Sequence, residues 1–74
     1  MKYIINDAEE LKQWLKSSRT DEKLSQTGLA DKSLVSRHTI ELIEKGKGNP
    51  CLETMLDLCA VLGYRIVLES EAEE

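Results

Sequence analysis

Two serines, Ser25 and Ser36, each stand where a helix can begin, and Gly46 closes the second of those helices shortly afterwards. A serine hydroxyl accepts from a backbone N–H of the first helical turn, so Ser25 opens a helix over Gln26–Ser33. Ser36 opens another from Arg37 to Glu44 or Lys45, which stops at Gly46. Leu34-Val35 is left as a tight turn between them. Whatever the chain folds into is built around this pair of short helices.

The flanks supply the rest of the bundle. Asp7 followed by Glu10 makes a capping box, and Leu11, Trp14, Leu15 and Ser18 keep helical spacing, so a first helix is expected from Ala8 to about Asp21. Gly46-Lys47-Gly48-Asn49-Pro50 is the one clear loop. After it Leu52, Met55, Leu56, Cys59, Ala60 and Leu62 form an apolar stripe on a fourth helix, with Gly63 suited to its C′ position. Tyr3-Ile4-Ile5 and the alternating run Tyr64–Glu69 are rich in residues that favour strands. The expected architecture is therefore mainly α: four helices with short N- and C-terminal β-strands. One domain covers residues 1–69, and residues 70–74 form an acidic, frayed tail.

With 74 residues there is room for one small core, and a domain of this size is marginal unless stapled or paired. A deep, walled catalytic pocket is hard to build at this length. No nucleophile–base pair or metal-ligand set is visible, so the chain is not expected to be an enzyme and needs no cofactor. Cys51 and Cys59 would lie about 12 Å apart along one helix, beyond the roughly 7 Å a disulfide spans. With a single His they cannot complete a zinc site. Both thiols read as buried or half-buried small hydrophobes in a reducing, cytoplasmic setting. The apolar run near Met1 is too short for a signal peptide or a membrane span.

Net charge is −4, which at first argues against a nucleic-acid partner. Its distribution argues otherwise. Between Lys12 and Gly48, eight basic residues face five acidic ones, so a basic middle survives inside an acidic chain. With no Phe, one Trp and two Tyr, a stacking platform for single strands is not available.

Helices over Gln26–Ser33 and Arg37–Lys45 have the dimensions of a helix-turn-helix, whose second helix lies in the major groove. At about 100° per residue, Arg37, Glu41, Lys45, His38 and Leu42 share one face of that second helix, and Ile40 and Ile43 lie on the other, which packs inward. The pattern Leu24-Ser25-Gln26-x-x-Leu29-Ala30, then Val35-Ser36-Arg37-x-Thr39-Ile40-x-x-Ile43-Glu44-x-Gly46, resembles the Cro/CI-type (Xre-family) helix-turn-helix. Asn49-Pro50-x-Leu52-Glu53-Thr54 and Leu62-Gly63 continue the likeness, and Leu11, Leu15, Lys16 and Arg19 extend it upstream, covering about residues 11 to 63. The flanking strands further resemble HipB-like and HigA-like antitoxins, in which a C-terminal strand joins two subunits. Departures from the family pattern are Leu34 and Lys23 where glycine is common, Gly28 inside a helix, and Cys51 where serine usually caps.

The resemblance implies a DNA-binding surface residue by residue. Gln26, at a helix N-terminus, would meet phosphate. Arg37 and His38 would reach base edges, with Ser36 at the helix entrance, and arginine is the side chain best shaped for guanine O6 and N7. Glu41 and Leu42 would face the groove, Leu42 suiting a thymine methyl. Lys45, Lys47 and Asn49 would hold the backbone and set register. Arg19 and Glu44 match a pair that bridges the first and third helices. The expected function is a homodimeric repressor on double-stranded DNA with a palindromic operator. Its subunits would join through the terminal strands or the fourth helix, and it could serve as an autoregulating antitoxin that docks a toxin protein. The alternative is a protein–protein interaction module on the same scaffold with little DNA affinity.

Overall fold

The computed structural model describes residues 1–72, and three of its four helices begin at side chains that accept from a backbone N–H of the first turn. α1 spans Ala8–Asp21, α2 Gln26–Ser33, α3 Arg37–Glu44 and α4 Leu52–Leu62. Asp7 caps α1 by accepting the Glu10 N–H at 2.8 Å. The Glu10 carboxylate reaches one residue past the cap, accepting from the Asn6 N–H at 2.6 Å. Ser25 Oγ accepts from Gly28 N–H at 2.9 Å, and Ser36 Oγ accepts from Thr39 N–H at 3.1 Å. α4 starts at Cys51 without a side-chain cap and ends at Gly63, whose φ of 82° suits a residue with no Cβ.

The turn between α2 and α3 is held by a serine rather than by a glycine. Ser33 Oγ donates to Leu29 O at 2.7 Å and accepts from Val35 N–H at 3.2 Å, tying the end of α2 to the start of the turn. Leu34 takes the left-handed conformation, φ 62°, with its N–H on Ala30 O. Lys23 likewise has φ 59°, so both positions where the pattern favours glycine do carry glycine-like backbone.

Trp14 and Leu15 from α1, Leu29 from α2, Val35 from the turn, Ile40 and Ile43 from α3, and Leu58, Cys59 and Leu62 from α4 make one buried core. α1 and α2 both pack on α3, and α2 also packs on α4. α2 and α3 are thus the central pair, with α1 against α3 and α4 against α2, and the outer face of α3 is left uncovered.

The expected terminal β-strands are absent among the described residues. Tyr3–Ile5 and Tyr64–Glu69 instead run as irregular segments, anchored by aromatic edges: Tyr64 meets Trp14 at 5.7 Å and Tyr3 at 5.8 Å between ring centroids. Tyr3 Oη donates to Ser17 Oγ at 3.3 Å, and Lys2 and Glu69 form an exposed ion pair at 3.7 Å. Strand propensity supplies a pleated, half-buried surface but not a ladder partner. Within one chain these two segments make no ladder with each other, and Ile4, Val67 and Leu68 remain exposed. The acidic tail lies partly outside the described residues, at Glu73 and Glu74. Cys59 is buried as expected, but Cys51 is exposed, because the N-cap position of α4 faces out of the bundle.

Candidate nucleic-acid interface

α3 is fixed from behind by a clamp of three side chains. Arg19 Nε donates to Glu44 Oε2 at 2.7 Å and Arg19 Nη2 donates to Glu44 Oε1 at 2.9 Å, while Nη1 donates to Leu24 O at 2.8 Å. Glu44 is only 4% exposed, so a carboxylate there must be paired. Burial pushes its pKa up, but the hydrogen bonds from Arg19 and Gln26 outweigh that and hold it below the ordinary carboxylate value. Glu44 in turn raises the Arg19 guanidinium above its usual value, against the opposing effect of burial. One bidentate pair therefore joins the end of α1, the segment leading into α2 and the end of α3.

With Ile40, Ile43 and Glu44 turned inward, α3 leaves its opposite face toward solvent. Arg37 and His38 are exposed at its N-terminal end, and Lys45 is exposed just past its C-terminal end. Glu41 and Leu42 are half-buried between them. The loop continues the surface: Lys47 and Asn49 are exposed, with Lys47 N–H donating to Leu42 O at 3.0 Å. Gly48 lies so close to α3 that an added Cβ would stand 2.9 Å from Ile43 Cγ1 and 3.0 Å from its backbone N, which presses the loop against the helix end. Arg37, His38, Glu41, Leu42, Lys45, Lys47 and Asn49 are thus carried by one helix and the loop anchored to it.

Two of the expected contacts are otherwise engaged. The Gln26 amide donates to Glu44 Oε1 at 3.1 Å, so its side chain is half-buried in the clamp rather than free to reach outward. Ser36 Oγ is occupied by the cap and by donation to Thr39 Oγ1 at 2.9 Å. One relation escaped the sequence reading. Arg37 Nε approaches Glu41 Oε2 to 3.3 Å, an ion pair whose i, i+4 spacing was the available signal.

The helix-turn-helix family model matches residues 15–68, which takes in the clamp, both helices of the motif and α4. The chain belongs to the Cro/CI-type helix-turn-helix family. This is a family of DNA-binding transcription regulators, and α3 is the second helix of the motif, the position of the recognition helix in helix-turn-helix proteins generally. No curated protein matches the chain. Among the described residues no helix is long and apolar enough to cross a membrane.

Proposed function

We propose that this helix-turn-helix protein is a sequence-specific repressor that acts as a homodimer on a palindromic operator. The observation that carries the reading is the exposed face of α3. Arg37 and His38 stand at the end that a recognition helix points at base edges, and Lys45, Lys47 and Asn49 stand where backbone contacts set register. The Arg19–Glu44 clamp supports it by fixing the helix that must present those groups. Gln26 contributes by holding Glu44, and the phosphate nearest α2 is met by the backbone amides of its first turn. A two-fold dimer would space two copies of α3 by about 34 Å, one turn of the duplex. Apolar side chains left exposed on the terminal segments suit a chain that also docks a protein, which favours the antitoxin role among repressors and a working place in the cytoplasm beside the DNA.

A second reading has its own support. The net charge of −4 and the same exposed apolar segments would serve a protein–protein module with little DNA affinity. Selection of bound duplexes from a randomised pool at about 0.1 M salt, followed by a salt titration, separates the two. The operator reading expects an inverted repeat with half-sites one helical turn apart. For about six phosphate contacts per dimer, log K should fall against log salt with a slope near −5. A folded protein that enriches no sequence, with a slope near zero, establishes the module instead.

A further inference from the structure

The ion pair on the outer face of α3 runs the wrong way for helix stability. Arg37 occupies the first helical position, where free N–H groups already carry partial positive charge, and Glu41 lies one turn nearer the negative end. Isolated helices prefer the acid before the base at this spacing. No acidic residue sits in the first turn of α3 to offset the arginine. Helix energetics therefore give no reason for this order of charges.

The geometry gives one. Glu41 meets Arg37 at Nε, the inner nitrogen of the guanidinium, at 3.3 Å. The arginine side chain is 60% exposed and the glutamate 34%, so the carboxylate is the more buried partner and the guanidinium the more open to solvent. A guanine offers O6 and N7 to a pair of guanidinium donors. The contact is an ion pair without hydrogen-bond geometry, and it places the carboxylate on the Nε side of the guanidinium, so the two terminal nitrogens are the pair clear of it and able to read a base end-on. The carboxylate also opposes any pose in which Arg37 folds back onto a phosphate, because that phosphate would be drawn up beside a second negative group.

We propose that Glu41 is a positioning residue, which holds Arg37 for end-on reading of one guanine and weakens its use as a non-specific phosphate contact. This rests on the operator-binding reading above and assigns Glu41 a task other than touching a base. It also accounts for an acidic residue in the middle of a face that otherwise carries Arg37, His38 and Lys45.

The test uses the full chain and its Glu41→Gln and Glu41→Ala variants against the selected duplex, its three base-pair substitutions at the Arg37 position, and an unrelated duplex. The wild type should prefer guanine at that position by about 5- to 150-fold, the range of a good bidentate contact. Both variants should bind the unrelated duplex more tightly than the wild type, because each removes the same negative charge. Glu41→Ala should lose at least about 5-fold of the base preference. Glu41→Gln, whose amide oxygen can still face Nε, should retain more of it, a rescue that a purely structural role would not give. Equal base preference in all three proteins, with the wild type binding its operator, overturns this inference alone. A wild type that binds no duplex overturns the operator reading and this inference with it.

Discussion

Glu44 shows how one side chain can carry structure and sit against function at once. It is buried, bonded twice by Arg19 and once by Gln26, and held below the ordinary carboxylate pKa because those bonds outweigh desolvation. A carboxylate whose folded pKa is depressed stabilises the fold above its unfolded pKa and loses that contribution as pH falls through the folded value. Stability should therefore hold from neutrality to about pH 5 and drop below about pH 4, where the unfolded carboxylate already binds its proton. Glu44→Gln leaves the Arg19 guanidinium, 17% exposed, without its counter-charge. It should cost about 3 kcal/mol at pH 7, at the lower end for breaking a buried pair. Urea unfolding of both proteins from pH 7 to pH 3 checks this: the gap between them should narrow as the acid limb is entered. A gap that stays constant with pH would mean that the clamp acts by packing and not by charge.

At the scale of elements, two backbone positions make predictions of opposite sign. Leu34 is 91% exposed and held at φ 62°, a conformation that costs an L-residue with a Cβ about 1–2 kcal/mol. Leu34→Gly should relieve that strain and, after the entropy glycine adds to the unfolded chain, raise stability by about 0.5–1 kcal/mol. Gly48→Ala should lower it by about 1–3 kcal/mol, since the new Cβ would meet the Ile43 backbone and that backbone cannot move without displacing α3. Thermal or urea melts of the two variants read both effects, and loss of DNA binding in Gly48→Ala beyond its stability loss would report the shift of α3. The helix boundaries were legible because their signals are local: Asp7, Ser25, Ser36 and Gly63 each act within one turn of their own helix. The partnership of Arg19 with Glu44 was legible only through the resemblance, because it spans two elements. The wheel placed Arg37 and Glu41 on one face but could not say that they meet, nor that Gln26 would turn inward to Glu44, because angle fixes direction and not rotamer. The terminal strands were misjudged for a related reason. Propensity in Tyr64–Glu69 describes what the segment can pair with, and pairing depends on an edge that a single chain does not provide.

For the whole molecule, the unpaired terminal segments are the largest departure from a self-contained domain. Val67 and Leu68 are exposed, Leu68 at 95%, and among the described residues Tyr64 N–H on Cys59 O is the last backbone–backbone bond along the chain. A chain this small buries little surface by itself, so covering these side chains with a second copy would add stability where the domain is short of it. An antiparallel pair centred on Val67 would set Arg65 opposite the partner's Glu69, with the same contact repeated by symmetry, and would place Ile66 across from the partner's Leu68. Val67→Pro removes the central backbone donor without touching any helix. Sedimentation should then move the protein from about twice its 8.4 kDa mass to the monomer, with unchanged helical circular dichroism. Operator affinity should fall to that of one half-site, because a dimer binds the second half-site at the effective concentration its own interface imposes. If Val67→Pro stays dimeric, the subunits meet elsewhere, and the exposed Leu52 and Leu56 on α4 become the surface to charge next. Leu56→Lys should then produce the monomer that Val67→Pro did not, since burying two lysines against each other across a two-fold axis costs far more than the apolar contact they replace.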